Sequence, residues 1–183
     1  PRTWLSTFHS FCVRLLRREA AAAGLPPGFV IWDEADQLSA VKRALASLDL
    51  SEKLHPPRRV LSRISAHKNS GRARGEDDSF GAAQIARITE RYSETLARAG
   101  ALDFDDLLLH VATLLRDNPE VRASLDERFA YVMVDEYQDT NKLQAEIIDL
   151  LAVKHRGVMV VGDDAQSIFA WRGAEFTNIY EFP

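Results

Sequence analysis

The sequence predicts an α/β fold in which a parallel sheet is interrupted by an all-helical insertion. Two short apolar runs rich in β-branched residues, Tyr131–Val134 and Val158–Val161, flank a helical pattern at Lys142–Ala152. A strand, a helix and a second strand in this order indicate parallel strands covered by helices. Another β-like run, Thr3–Thr7, lies near the start of the chain. The stretch between them, residues 25–100, carries helical patterns only.

This order of elements divides the chain into three segments. We expect residues 1–24 and 101–183 to form one sheet-containing domain, and residues 25–100 to form a helical subdomain inserted into it. Ligands of parallel α/β sheets bind at the carboxyl ends of the strands. Acidic residues follow both predicted strands of the C-terminal segment, so we expect a binding site there.

Apolar periodicity and helix-end signals define the remaining elements. Gly24 and Gly100 suit helix ends, Asp33 suits an N-cap, and a proline pair suits a helix start. The predicted helices run from Phe8 towards Gly24, from Asp33 to Leu48, from Pro56 and Pro57 to Asn69, from Phe80 to Ala99 and from Asp103 to Leu115.

Two features of these helices are interpreted as structural. The run Leu102–Leu108 places acids in the first turn of a helix, where they complement its dipole. Cys12 lies on the apolar side of its helix, which favours a core position.

The composition is that of a globular protein. Of the 183 residues, 46% are hydrophobic and 27% are charged, which excludes a disordered or collagen-like chain. The apolar runs are far shorter than the roughly 20 residues of a membrane-spanning helix. A single cysteine cannot form an internal disulfide, and no signal-peptide pattern is present. We therefore expect a cytoplasmic protein.

Charge is distributed unevenly along the chain. The net charge is -4, but residues 1–100 carry 16 basic against 11 acidic residues, and residues 101–183 carry 7 against 16. Between residues 53 and 74 no acid interrupts the basic residues, which suits a phosphate backbone or, alternatively, a solvated helix face. These basic residues are Lys53, Arg58, Arg59, Arg63, Lys68, Arg72 and Arg74.

The first candidate site follows the predicted strand at Tyr131–Val134. Its sequence is Asp135-Glu136-Tyr137-Gln138-Asp139-Thr140-Asn141. One carboxylate at a strand tip can bind Mg²⁺ and a second can accept a proton from an attacking water, as nucleotide hydrolysis requires. The alternative is that these acids only cap the next helix.

Two further segments contain candidate site residues. After the strand at Val158–Val161, Gln166 could orient a water, and Trp171 with Arg172 could stack on a base and hold its phosphate. At the start of the chain, Thr7-Phe8-His9-Ser10 places hydroxyls and a histidine at a helix N-terminus, which can contact phosphates. Residue type alone favours the structural alternatives, which are a core tryptophan with a surface arginine and a capping or packed histidine.

Together these segments resemble the UvrD/Rep/PcrA family of superfamily 1 DNA helicases. The strings that carry the resemblance are Thr7–Ser10, Leu102–Leu108, Asp135–Asn141 and Val161–Ala174. Their order and spacing match along essentially the whole chain, and the match is closest after residue 100. The resemblance implies a RecA-like (P-loop NTPase) motor domain with a helical insertion, which uses ATP and Mg²⁺ to move 3′ to 5′ on single-stranded DNA and to separate duplexes in replication or repair.

The resemblance also implies roles for individual residues. Asp135 matches the Mg²⁺ ligand, Glu136 the base that activates water, Gln138 a position in the nucleotide-site motif, and Gln166 the residue that senses the γ-phosphate. The implied DNA contacts are Thr7, Phe8, His9, Trp171 and Arg172, with Arg58, Arg59, Arg63 and Lys68 approaching DNA from the insertion. The implied partners are single-stranded DNA, its junctions with duplex, and the remaining helicase domains.

The sequence departs from the family in three places. Ala165 stands where many members have an acid, and Phe169 where many have tyrosine. None of the nine glycines is followed by lysine, so the phosphate-binding loop G-x-x-x-x-G-K-[ST] is missing. We therefore expect an internal piece of a helicase that is inactive in ATP hydrolysis on its own and that exposes apolar sheet surface capable of self-association.

Three other functions fit parts of this pattern. The chain could be a DNA-binding or interaction module without a motor, or the motor part of a RecB/AddA-type helicase-nuclease. A phosphohydrolase using Asp135 and Glu136 alone leaves Gln166, Trp171 and Arg172 unexplained.

Overall fold

A computed structural model describes residues 3–69, 82–154 and 157–163. The chain divides into two compact units, one formed by Pro1–Gly24 with Leu107–Pro183 and the other by Leu25–Asp106. None of the described helices combines the length and apolar character needed to cross a bilayer. The elements in chain order are α1 (Phe8–Arg18), β1 (Val30–Ile31), α2 (Glu34–Ser47), α3 (Pro57–Asn69), α4 (Ala82–Ala99), β2 (Ala101–Leu102), α5 (Phe104–Asp117), α6 (Pro119–Arg128), β3 (Val132–Val134), a 3-10 turn (Tyr137–Asp139), α7 (Lys142–Ala152) and β4 (Val158–Val160).

The Leu25–Asp106 unit is built on three helices, α2, α3 and α4, that share one apolar core. As predicted, α2 begins after Asp33. The Asp33 side chain accepts a hydrogen bond from the Asp36 amide at 2.9 Å, and the Asp36 side chain accepts one from the Asp33 amide, which completes a capping box. Helix α3 begins at Pro57. The buried core side chains include Val41, Leu45, Val60, Ile64, Ile88, Tyr92 and Leu96.

The prediction that residues 25–100 contain only helices is wrong at Val30–Ile31. These two residues form β1, which pairs in parallel with β2, with Val30 opposite Ala101 and Ile31 opposite Leu102. A two-residue strand is too short to produce a periodic pattern, and its partner lies at the far end of the unit in sequence. Local sequence signals therefore could not reveal this pairing.

A buried ionic cluster joins the end of α3 to the start of α5. The Lys68 ammonium lies 2.6 Å from Asp103 Oδ2 and 2.6 Å from Asp106 Oδ1, and the Tyr92 hydroxyl donates to Asp103 Oδ2 at 2.8 Å. Only 8% of the Lys68 side chain and 2% of that of Asp103 are exposed. Asp103 also caps α5 by accepting from the Asp106 amide at 2.8 Å.

The two carboxyl groups of this cluster differ in acidity. Burial opposes ionisation of both. At Asp103 the Lys68 charge and hydrogen bond outweigh burial and hold the pKa below its ordinary value. At Asp106 burial, together with the charge of Asp103, outweighs Lys68 and raises the pKa to about 6. Asp103 is therefore the more acidic of the two carboxyl groups that pair with the Lys68 ammonium.

In the other unit, helices accompany a parallel strand pair, as the strand–helix–strand order predicts. Strand β3 pairs with β4, with Val132 opposite Val158, Met133 opposite Met159 and Val134 opposite Val160. Val134 packs with Tyr137 and Ile148 in a buried cluster that Phe8 also contacts. Met133 and Met159 lie on the other face and are 72% and 53% exposed.

The predicted strand at Thr3–Thr7 is not formed. Within the described residues this segment has no strand partner. Thr7 instead caps α1, because its side chain accepts a hydrogen bond from the Ser10 amide. The centre of the Trp4 ring lies 5.4 Å from that of Phe11 and 5.5 Å from that of Phe129. Strand propensity depends on a pairing neighbour, so an aromatic, β-like sequence can pack as an extended segment when none is adjacent.

Cys12 is fully buried on α1, as its apolar position predicts. Burial raises the pKa of its thiol to about 12, because a thiolate would lose its hydration there.

We predict that Lys68→Ala lowers the free energy of unfolding by about 3–5 kcal/mol, because it leaves buried carboxylates without their counter-charge. Urea unfolding followed by circular dichroism measures the change. Lys42→Ala is the matched control, because Lys42 is exposed on α2 in the same unit. A loss no greater than that of the control would show that the cluster does not stabilise the unit.

We also predict that the native chain does not react with a thiol reagent at pH 8, because the thiolate is the reactive form and is suppressed at Cys12. In denaturant one thiol per chain should react. Rapid labelling of the native protein would place Cys12 at the surface.

Candidate functional site

The candidate site lies where β3 and β4 end side by side. The Val161 amide donates to the Val134 carbonyl at 2.8 Å, and the Tyr137 amide donates to the Val161 carbonyl at 2.9 Å. These bonds continue the parallel pairing beyond the strands themselves. They hold the chain that follows β3 against the chain that follows β4, at the edge where α/β sheets bind ligands.

Asp135 and Glu136 lie at this edge with exposed side chains. Glu136 adopts a left-handed backbone conformation, φ 53° and ψ 44°, which costs a residue other than glycine about 1 kcal/mol or more. Its amide donates to Asp135 Oδ1 at 3.0 Å. The left-handed residue turns the chain sharply out of β3, so that both carboxylates remain at the strand tip.

The residues after Glu136 form a compact turn that leads directly into α7. The Asp139 amide donates to the Glu136 carbonyl at 2.9 Å, and the Thr140 hydroxyl donates to the Tyr137 carbonyl at 2.6 Å. Asn141 and Gln144 then cap α7 reciprocally, with amide-to-side-chain distances of 2.9 and 3.0 Å. Helix capping thus occurs here, as the alternative interpretation required, but Asn141 provides it, and Asp135 and Glu136 take no part in it.

Gln138 follows Glu136 in this turn and is only 1% exposed. Its side-chain nitrogen donates to Glu136 Oε2 at 2.5 Å, and its side-chain oxygen accepts from the Asp163 amide at 3.1 Å. The sequence-based expectation placed Gln138 among the nucleotide-site residues. In the structure both ends of its amide are used within the protein, so it lies behind the exposed surface of the site.

The oxygen atoms at this edge are suited to Mg²⁺. This ion binds proteins through one or two carboxylates and keeps its other positions for water and phosphate oxygens. Asp135 supplies an exposed carboxylate, and Asp139 Oδ1 is a buried oxygen that has no hydrogen-bond partner among the described residues. No group of three or more His, Cys, Asp or Glu side chains is close enough to enclose a metal in the described ranges. The exposed carboxylate of Asp135 is one that could hold Mg²⁺ at this edge.

The segment Thr7-Phe8-His9 belongs to the same unit as the acidic tip. Thr7 is exposed at the start of α1, and Phe8 is half-buried against the cluster that contains Val134. An open cavity of about 440 Å³ has residues of both segments in its lining, Thr7, Phe8, Val134 and Asp135 among them. The structure therefore brings together two candidate segments that are far apart in sequence.

The basic residues of the other unit have different environments. Arg58, Arg59 and Arg63 are exposed on α3. Lys68 differs from these arginines, because its ammonium is buried between Asp103 and Asp106 and is not at the surface where DNA contacts were expected. The sequence analysis missed a second role of the acids in the run at 102–108. Asp103 and Asp106 cap α5, as predicted, but they also bind Lys68, which is distant in sequence.

Three of the predicted site residues lie outside the described residues. They are Gln166, Trp171 and Arg172, and the same holds for Arg72 and Arg74 of the basic run and for Ala165 and Phe169.

Comparison with known protein families matches residues 1–183 to the UvrD/REP helicase N-terminal domain. The chain belongs to this family. The resemblance found in the sequence motifs is thereby confirmed over the whole chain.

Individual members of the UvrD/REP helicase family agree with this assignment. The chain is 42% identical over 183 residues to the ATP-dependent DNA helicase PcrA of Staphylococcus epidermidis, and 42% identical to that of Staphylococcus aureus. Each alignment covers 98% of this chain and 25% of the relative. The chain therefore spans about a quarter of the length of these relatives.

Family membership and structure agree on the fold class at a coarse level. The described residues contain seven α-helices and two parallel strand pairs, a mixed helix and strand architecture compatible with part of an α/β helicase domain.

Proposed function

We propose that this chain works as part of an ATP-dependent DNA helicase that moves 3′ to 5′ on single-stranded DNA and separates duplexes. In this proposal residues 1–24 and 101–183 belong to a RecA-like motor domain, and residues 25–100 form its inserted subdomain. The phosphate-binding loop would come from the rest of this motor domain, and the second half of the ATP site from the second RecA-like domain. The 183 residues alone are then inactive in ATP hydrolysis.

The observation that carries the proposal is the pair Asp135 and Glu136, exposed at the carboxyl end of a parallel strand in a chain of this family. Asp135 would hold Mg²⁺, which bound to ATP neutralises charge on the phosphates. Glu136 would take the proton from the attacking water, because its exposed carboxylate lies beside the metal ligand and can accept a hydrogen bond from that water. Gln166 would sense the γ-phosphate.

DNA binding is proposed on both units. Thr7, Phe8 and His9 would contact single-stranded DNA beside the cavity shared with Asp135, and Trp171 with Arg172 would stack on a base and hold its phosphate. The exposed arginines of α3, Arg58, Arg59 and Arg63, would contact the phosphates of a junction with duplex. Lys68 is left out of this set because its charge is already neutralised inside the protein.

The proposed protein partners are the other domains of the helicase. Large apolar side chains are exposed around β3 and β4, with Tyr131 at 80% and Met133 at 72%. Apolar surface of this kind is typical of a contact with further protein, including a second copy of the same chain.

We predict that Glu136→Gln in the full-length helicase abolishes DNA-stimulated ATP hydrolysis and leaves ATP binding intact, because the amide keeps the shape but cannot take a proton. Phosphate release with single-stranded DNA, and binding of a fluorescent ATP analogue, measure the two properties. Glu120→Gln, on the exposed start of α6, is the matched control and should retain turnover.

Two outcomes would contradict this proposal. Normal turnover in Glu136→Gln would remove Glu136 as the base. A full-length wild-type protein that binds DNA but never hydrolyses ATP would instead be a binding module that has lost its motor.

We predict further that replacing Arg59 and Arg63 together by alanine weakens DNA binding and flattens its salt dependence. Each phosphate contact contributes a slope of about 0.7–0.9 to the plot of log affinity against log salt, so the slope should fall by about 1.5. Fluorescence anisotropy of a junction substrate at several salt concentrations measures it. The double variant Lys42→Ala, Arg43→Ala removes the same charge from the exposed side of α2 and serves as control. Equal losses in both would indicate a general charge effect with no specific contact by α3.

A further inference from the structure

Gln138 is the buried link between the acidic tip of β3 and the end of β4. We propose that it is a positioning residue, which fixes the Glu136 carboxylate for proton transfer and couples it to the position of the chain at Asp163. This inference deepens the proposed function and rests on the role of Glu136 as the base.

The partners of Gln138 allow its amide only one orientation. A carboxylate oxygen can only accept a hydrogen bond and a backbone amide can only donate one. The nitrogen of Gln138 must therefore face Glu136 Oε2, 2.5 Å away, and its oxygen must face the Asp163 amide, 3.1 Å away. Reversing the amide would place two oxygens against each other at one end and two donors at the other. Because the side chain is only 1% exposed, water cannot readily replace either partner.

Glu136 needs such a restraint because its side chain is exposed and long. A glutamate free to rotate at a surface populates many rotamers, and fixing it costs conformational entropy. A hydrogen bond to a charged acceptor is stronger than a neutral one, and here the donor comes from a buried side chain that is itself fixed. Within the described residues Gln138 holds Oε2, which leaves Oε1 as the oxygen available to a water molecule.

The second bond of Gln138 extends this restraint to β4. Asp163 follows Val161, whose backbone is bonded to both Val134 and Tyr137. The end of β4 and the turn that carries Glu136 therefore touch through backbone bonds and through one side chain. Among the residues that the structure describes, the Gln138 bond is the one that reaches the Glu136 side chain, so a displacement at Asp163 would be transmitted to the proposed base through Gln138.

The test uses the full-length helicase and two variants of nearly equal shape. Gln138→Met loses both hydrogen bonds, whereas Gln138→Glu keeps an acceptor for the Asp163 amide but places a carboxylate against Glu136. We expect both to lower kcat for DNA-stimulated ATP hydrolysis by about 10- to 100-fold, as loss of an orienting partner does elsewhere, with KM for ATP nearly unchanged. Gln37→Met, which removes the 3.2 Å bond to the Trp32 carbonyl in the other unit, should leave kcat unchanged.

A double-variant comparison separates positioning from simple stabilisation. If Gln138 acts through Glu136, the double variant with Gln138→Met and Glu136→Gln is no slower than Glu136→Gln alone, because the group being positioned is already absent. The exchanged pair Glu136→Gln, Gln138→Glu can restore the side-chain hydrogen bond. It should therefore recover the melting temperature that Gln138→Glu loses, without recovering turnover.

The outcomes distinguish this inference from the function on which it rests. If Glu136→Gln stops turnover but Gln138→Met and Gln138→Glu keep the wild-type kcat, the positioning role is wrong and the helicase proposal stands. A KM that rises while kcat is unchanged would make Gln138 a nucleotide-binding residue instead. If Glu136→Gln retains turnover, the proposed base itself is wrong. If Gln138→Met fails to fold, the exchanged pair and Gln138→Glu still test the positioning role.

Discussion

The parallel pairing of β3 with β4 is the constraint on which the candidate site depends. Each strand has only three residues, yet backbone hydrogen bonds continue past the strand ends through Val134, Tyr137 and Val161. This places the acidic tip of one strand beside the end of the other. The left-handed Glu136, the 3-10 turn and the cap of α7 all occur within the short stretch that this pairing fixes. The carboxylates are thus held by backbone geometry, and the single buried amide of Gln138 adds the side-chain contact.

The parts of the fold that sequence predicted are those encoded locally. The helix after Asp33, the helix opened by Pro57 and the two strands around α7 each have their own signals within a few residues. Two of the features that it missed depend on partners far along the chain. Strand β1 exists only through its pairing with β2, and a β-like run at 3–7 is no strand without a neighbour. Non-local pairing is invisible to periodicity, which explains both errors.

The candidate site shows the same division. Asp135 and Glu136 were candidates because they directly follow a predicted strand, and the structure places both at the exposed strand tip. The environment of Lys68 could not be inferred from a basic run, because its burial depends on Asp103, Asp106 and the packing of Tyr92. The contacts of Gln138 depend on the fold of a turn. Residue types indicated the chemistry of the site, whereas the contacts between its residues could be identified only from the structure.

The turn between β3 and α7 also limits how this region can change in evolution. Surface loops usually accept insertions, because their backbone groups are hydrated and their ends have slack. Here residues 135–141 run from strand to helix with successive hydrogen bonds at Glu136 and Tyr137 within the turn and at Asn141 to the first turn of α7. An added residue would break at least one of these bonds and would shift Gln138 out of register with Asp163. We expect related chains to vary the identity of exposed residues in this turn and to preserve its length.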